Sequence, residues 1–212
     1  MEKRKKQIGI MGGTFDPIHT GHLLAAEQAR EQAGLDEIWF MPTHIPPHKD
    51  RVGLTEARHR LRMVELAVAD HPAFRACDLE LRREGPSYTV DTVELLLQNH
   101  PDCQFSFIIG GDMVSILPKW HRIDELVRMI RFIGLTRPGT KLDKSAYETY
   151  VRFVEMPAWD LSSTLVRKKA AQGKSIRYLV HPSVERYIKE WGLYELARES
   201  GGTSGACPGA DA

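Results

Sequence analysis

Residues 12–22 read Gly12-Gly13-Thr14-Phe15-Asp16-Pro17-Ile18-His19-Thr20-Gly21-His22, and the rest of the chain is organised around them. The run just before, Ile8–Met11, is apolar and β-branched and fits a short buried strand. Gly12 and Gly13 break that pattern, and Pro17 steers Asp16 away from the helical region. Thr20 is a good N-cap for a helix that runs through HLLAAEQAREQA to Gly34, a good C′ residue. The stretch is therefore strand, glycine turn, loop and helix start.

That order has a chemical use. Glycines let backbone come close to a ligand. The orphan N–H groups of a helix start, aided by the helix dipole, favour anions such as phosphate. His19 and His22 are three apart and project from the same helix mouth, where two imidazoles can donate hydrogen bonds to a polyphosphate, more strongly when protonated. The same spacing is half of a zinc site, but no Cys pair or His-Glu-x-x-His accompanies it. No Gly-Lys-Ser/Thr follows, so the motif is not a Walker A loop, and it is not Gly-x-Gly-x-x-Gly either. Phosphate contact leads; metal ligation and plain surface histidines remain open on this evidence.

Working outward, further apolar runs read as strands at Glu37–Met41, Phe74–Leu81, Cys103–Ile109, Arg131–Thr136 and Val151–Met156. Between them lie helix patterns. Thr55 can cap one whose apolar face is Leu61, Val64, Leu66 and Val68, with Arg58, Arg60 and Arg62 elsewhere. Others run over Val90–Leu97, from Ser162 or Ser163 onward, and over His181–Tyr194. Alternating strands and helices predict an α/β fold: a Rossmann-like, doubly wound parallel sheet with helices on both faces and a C-terminal helical portion. Crossovers should be right-handed.

Several loops sit where such a fold places ligands, at the C-terminal ends of strands. Pro42–Asp50, stiffened by prolines, carries His44, His48 and Lys49 and reads as a surface linker or a substrate-covering loop. Gly110, Gly111 and Asp112 repeat the glycine logic, with an acid suited to a ribose hydroxyl. Trp120, among basic neighbours in PKWHR, is a core residue or stacks on a planar ligand. At the helix start near Ser162, Ser163 and Thr164 can hold phosphate oxygens and Arg167 can clamp them. In this fold the helix mouths at Thr20 and Ser162 should converge on one sheet edge.

The 212 residues suffice for one domain with a real core. We expect a single domain over 1–197 and a flexible, glycine-rich tail over 198–212. A formal net charge of +1 gives no electrostatic case for nucleic acid or an acidic membrane as partner. No apolar run can span a bilayer, no signal-peptide core follows Met1, and Cys77, Cys103 and Cys207 are scattered, so a cytoplasmic protein is expected. The sequence is compatible with a homo-oligomer and sets no oligomeric state.

GGTFDPIHTGH closely resembles the signature of the nucleotidyltransferase superfamily. PPHK at 46–49, SYTVDT at 87–92, GGDMV with PKWHR, RPG at 137–139 and LSST at 161–164 follow in order, and together look like bacterial nicotinate mononucleotide adenylyltransferases. The resemblance runs from Ile8 to Tyr194; Leu161 departs conservatively from the commoner isoleucine. It implies adenylyl transfer from ATP to nicotinate mononucleotide, with magnesium carried on ATP and no metal held by the protein. It implies that Gly12, Gly13, Thr14, Phe15, His19 and His22 hold ATP, that Gly110 and Asp112 contact its nucleotide part, and that Ser163, Thr164 and Arg167 complete the phosphate cradle. Tyr88, Thr89 and Trp120 would bind the pyridine and its carboxylate, and Lys49 the acceptor phosphate. His19, His22, Lys49 and Arg167 are thus the catalytic candidates. Alternatives are another acceptor, such as nicotinamide mononucleotide or phosphopantetheine, or a non-catalytic nucleotide-binding regulator.

Overall fold

Six apolar segments pair side by side in a computed structural model that describes residues 4–44, 53–83, 88–137, 139 and 146–195. They are β1 (Lys6–Gly13), β2 (Glu37–Pro42), β3 (Phe74–Ala76), β4 (Cys103–Gly110), β5 (Arg131–Thr136) and β6 (Val151–Glu155). Every pairing is parallel, in the order β3-β2-β1-β4-β5-β6. Parallel neighbours need crossovers, and helices supply them: α1 (Thr20–Ala33), α2 (Ala57–Val68), α3 (Thr89–Asn99), α4 (Ile123–Met129), α5 (Ser163–Ala171) and α6 (Pro182–Glu190), with 3₁₀ segments at Gly111–Lys119 and Glu148–Tyr150. The doubly wound expectation holds. Strand order reverses between β1 and β4, and the crevice beyond the C-terminal ends of those strands is where such sheets take ligands.

Side-chain alternation divides the core between the two sheet faces. Ile8 and Ile10 pack with Val93, Leu96, Leu126 and Phe132 on one face. Met11 turns to the other, with Ala26, Ala29, Val64, Ile108 and Val166. Gly9 shares that second face. A Cβ there would stand 2.7 Å from both Ile38 Cδ1 and Leu35 Cδ1, so β1 passes close under its neighbours only as glycine. α1 buries mainly alanines, Ala25, Ala26 and Ala29, which let the helix that starts at the motif lie close to the sheet.

Three local expectations are corrected. The run Phe74–Leu81 is a strand only to Ala76; Cys77 N–H still reaches Phe40 O at 2.8 Å, after which Leu81 and Arg82 turn back onto Asp78 O. β2 runs on past Phe40, but Pro42 at its end has no N–H to give the edge strand's next carbonyl, so the ladder stops there. The buried stripe of α2 is His59, Arg60, Met63, Val64, Ala67 and Val68 rather than the Leu61 and Leu66 side, and Arg60 lies inside the core at 1% exposure. Helix starts shift by one residue. His19, not Thr20, is the N-cap of α1, because Thr20 Oγ1 donates to Tyr178 O and Leu179 O, each at 3.1 Å. Glu56, not Thr55, precedes α2, and Thr55 instead gives its N–H to Asp16 Oδ2 at 3.3 Å. Ser162 caps α5 as its type suggests, accepting from Leu165 N–H at 3.2 Å, and Gly34 ends α1 at φ 69°.

Residues 45–50 of the proline loop, Lys49 among them, with Ser87, Cys207 and the tail lie outside the described residues. Among the described residues no helix is long and apolar enough to cross a membrane.

Candidate active site

β1 delivers the loop after Gly13 to the sheet's C-terminal edge, and α5 arrives there from the other end of the chain. Direct bonds join them. Ser163 Oγ donates to Pro17 O at 2.8 Å, and Arg167 Nη1 donates to Asp16 O at 2.7 Å. Arg167 Nη2 also reaches Thr164 Oγ1 at 3.4 Å. Between the two helix mouths lies a cavity of about 540 Å³. Thr14, Asp16, His19, Gly21 and His22 line it from the first motif; Ser162, Ser163, Thr164 and Arg167 line it from the second. The convergence expected from strand order is present.

The histidines form a stacked pair, with ring centroids 3.6 Å apart and planes 17° from parallel. His22 Nδ1 accepts from the His19 backbone N–H at 3.2 Å, so the proton of neutral His22 sits on Nε2. Burial pulls His19 down to about 4. Burial also holds His22 well below the usual imidazole range, and the His19 charge adds to that. The pair is therefore neutral near pH 7, so of the two kinds of donation foreseen it makes the weaker, uncharged one: two stacked imidazoles this close do not both carry charge. A neutral imidazole still donates one N–H. Glycine between them has a steric reason, since a Cβ on Gly21 would stand 3.1 Å from His19 Nδ1. Phe15, buried at 2% exposure, meets His22 edge-on at 5.1 Å and braces the ring from behind.

Asp16 was not singled out from sequence, yet it is the hub of the loop. It is 4% exposed; Oδ1 accepts from Tyr194 OH at 2.6 Å and Oδ2 from Thr55 N–H at 3.3 Å. Burial, reinforced by the Asp16 charge, keeps the Tyr194 phenol protonated far above its usual range. Asp16 is the one carboxylate among the described residues lining this cavity, and both its oxygens are engaged. Among the described residues no three His, Cys, Asp or Glu side chains cluster as a metal site.

Arg137, Met156, Trp159 and Leu161 also line the cavity, Leu161 beside Gly21. Sequence reading placed Arg137 only within RPG and gave Met156 and Trp159 no role. A signal was available: Arg137 is the first residue past β5 and Met156 the first past β6, the strand ends where ligands sit in such sheets.

Other expected residues lie apart from this cavity. Gly12 and Gly13 make room for aromatic rings: a Cβ would stand 3.0 Å from Phe107 Cζ at Gly12 and 3.1 Å from Phe15 Cζ at Gly13. Gly110 ends β4, and a Cβ there would stand 2.5 Å from Asp112 Oδ1, so the carboxylate folds over the strand end. Trp120 is half-buried, edge-on to Phe107 at 6.0 Å and Phe132 at 5.9 Å. Tyr88, followed by Thr89 at the start of α3, lies 4.5 Å from the His121 ring. Arg122 holds that turn to α3 through Glu94 at 2.9 Å and Asp91 at 3.5 Å. Tyr88, Thr89 and the Trp120 turn thus form a second group, and the histidine pair is not part of it.

Comparison with known proteins bears on this arrangement. A family model described as cytidylyltransferase-like matches residues 10–169, which includes both helix mouths. A probable nicotinate-nucleotide adenylyltransferase of Bacillus pumilus is 56% identical over 191 residues, covering 90% of this chain and 99% of that protein. The nicotinate-nucleotide adenylyltransferase of Bacillus subtilis is 49% identical over 190 residues, again covering 90% and 99%. Among solved structures, Plasmodium falciparum nicotinic acid mononucleotide adenylyltransferase complexed with NaAD matches with a TM-score of 0.74 at 26% identity, over 89% of this chain and 97% of that one. With the relatives aligned over nearly their whole length, the chain belongs to the nicotinate-nucleotide adenylyltransferase family of cytidylyltransferase-like proteins.

Proposed function

We propose that the protein transfers the adenylyl group of ATP to nicotinate mononucleotide, giving nicotinate adenine dinucleotide and pyrophosphate in NAD synthesis. The observation that carries this reading is the cavity between two helix mouths, rich in donors and bordered by two arginines, in a chain so similar to enzymes of that name. The domain is read as 1–197 with a tail over 198–212, working in the cytoplasm where both substrates are available.

The chemistry needs no protein nucleophile or strong base, because the attacking phosphate of the mononucleotide is already an anion. It attacks the α-phosphorus of ATP in line, and the bond to the β-phosphate oxygen breaks. Negative charge then grows on the departing pyrophosphate, so catalysis is positioning plus electrostatic stabilisation. His22 supplies its Nε2–H to that charge without needing a second proton, and His19 stands beside it. Loss of one such preorganised donor raises the barrier by about 3 kcal/mol, roughly a hundredfold in rate.

The second mouth divides its labour. The Ser163 hydroxyl proton is spent on Pro17 O, so Ser163 mainly holds the loop. Thr164 Oγ1 accepts from Arg167, which leaves its own proton for a phosphate oxygen. Arg167 adds charge beside it, while Thr14 and the Gly21 N–H at the start of α1 complete the cradle; the Thr20 and His22 N–H groups are already given to Leu179 O and His19 O. Gly12, Gly13 and Phe15 shape the ATP side from beneath, and Gly110 with Asp112 faces the ribose. Tyr88, Thr89 and Trp120 would take the pyridine and its carboxylate, with Lys49 at the acceptor phosphate. Magnesium enters as substrate, on the triphosphate.

The test is product identity by mass after incubation with magnesium, ATP and, in separate arms, nicotinate mononucleotide, nicotinamide mononucleotide and phosphopantetheine. Nicotinate adenine dinucleotide in the first arm at the highest rate is expected. Pyrophosphate in no arm would refute an enzyme; product only in another arm would refute the acceptor.

A further inference from the structure

Arg60 has no place in the chemistry above, yet it is among the most deeply buried large side chains, 1% exposed. It stands on the buried stripe of α2 with Met63, Val64 and Ala67 and does not line the cavity. Its guanidinium is used in three directions. Nη1 donates to Thr14 O at 2.7 Å, Nε to Thr55 O at 3.0 Å and Nη2 to His44 O at 3.3 Å. These carbonyls belong to three separate stretches: the motif loop after β1, the start of the segment leaving β2, and the approach to α2.

We propose that Arg60 is the positioning residue of the phosphate-binding loop, its planar guanidinium setting the spacing of the Thr14, His44 and Thr55 carbonyls and so the placement of residues 14–19. This rests on reading the cavity as the triphosphate site. Three features support it. A guanidinium holds its donors in a fixed plane, so three acceptors bound to it are held at fixed separations, which a single ammonium point cannot do. The next residue, Phe15, sits at φ +48°, a region that a bulky side chain enters only when its surroundings over-determine it. Arg60 pins the carbonyl before it, and the Phe15 ring is locked against His22 and Phe40. The bridge also continues to the site. Thr55, held at its carbonyl by Arg60, gives its N–H to Asp16, which accepts from Tyr194 OH. Asp16 O in turn anchors Arg167. Burial pushes the Arg60 guanidinium down, and the nearby Asp16 charge offsets part of that cost.

The test uses the full chain with Arg60→Met, Arg60→Lys and Tyr194→Phe, and Arg62→Ala as control, since Arg62 is exposed and pairs with Glu65 on the surface. The first readout is amide hydrogen exchange of residues 14–19 in the absence of ligand. Positioning predicts exchange there faster by about tenfold in Arg60→Met, beyond any change in α1 or β4. The second is turnover by the folded fraction. Arg60→Met should lower kcat by about a hundredfold and Arg60→Lys by about tenfold, while KM for nicotinate mononucleotide stays within about twofold. Arg62→Ala should match the parent. A purely structural role would lower the melting temperature and leave kcat, KM and the 14–19 exchange of the folded fraction unchanged; that result overturns the proposal. If Arg60→Met does not fold, Arg60→Lys and Tyr194→Phe decide on the same two readouts. If the parent itself neither binds MgATP nor releases pyrophosphate, the functional reading fails, and Arg60 is then judged on hydrogen exchange alone.

Discussion

Acidification should weaken this fold through its histidine pair before carboxylate titration dominates. In the unfolded chain His19 titrates near 6.5, and in the folded protein burial holds it to about 4. Between those values the unfolded state binds a proton that the folded state refuses, so stability is present above pH 6.5 and lost as pH falls toward 4. At about 1.4 kcal/mol per pH unit, the interval from 6.5 to about 4 amounts to about 3 kcal/mol from His19. His22 acts in the same direction, because its burial and its stacked neighbour both oppose its charge. Against a typical domain stability of about 5–15 kcal/mol this is large. The assay is urea unfolding of the ligand-free protein from pH 7.5 to 4.5, beside a His19→Asn/His22→Asn variant that removes both imidazoles. At pH 5.5 the parent should have lost at least about 1 kcal/mol more than the variant, relative to each at pH 7.5. Parallel stability curves would refute the burial argument and return the pair to ordinary surface histidines.

Gly21→Ala, which sets a Cβ 3.1 Å from His19 Nδ1, should displace that ring and lower kcat at least about tenfold with little change in melting temperature; unchanged kcat would show the ring position to be unimportant. Thr164→Val should lower kcat by about tenfold to a hundredfold, whereas Ser163→Ala should mainly lower stability by about 1 kcal/mol, because only Thr164 keeps a free hydroxyl proton; the opposite ranking would sink the division of roles. Trp120→Ala should raise KM for nicotinate mononucleotide and leave that for ATP unchanged, and an equal rise for both would remove a specific pyridine role. Calorimetry of MgATP binding in buffers of different ionisation enthalpy should show proton uptake below about pH 6, since a bound polyanion raises both depressed imidazoles; no uptake would place the phosphates away from them.

Much of this protein was legible along the chain, and the reason is local. Ile8–Met11 and Cys103–Ile109 are strands because short apolar, β-branched runs have few other stable uses, and strand alternating with helix admits little besides a parallel, wound sheet. The helix mouths at Thr20 and Ser162 were visible because caps, glycines and prolines act within a few residues. The failures came where a residue's state depends on distant partners. FRACDLEL alternates like a strand, but past Ala76 the ladder meets Pro42 of β2, which has no N–H to donate. Arg60 looked like one of three surface cations on α2. Its burial depended on Thr14, His44 and Thr55 bringing carbonyls to it, although its spacing of three, four and seven from Met63, Val64 and Ala67 already put it on that stripe.

From sequence alone came the fold class, the two phosphate-seeking helix starts and the family, because each rests on residue types and short spacings. Folding decided which of these groups carry charge and which can donate. The imidazoles lose their protons because stacking and burial remove solvent, Ser163 spends its hydroxyl on Pro17, and Asp16 and Arg60 become internal ties; each outcome depends on desolvation or on partners that only the fold brings together, up to 178 residues apart along the chain.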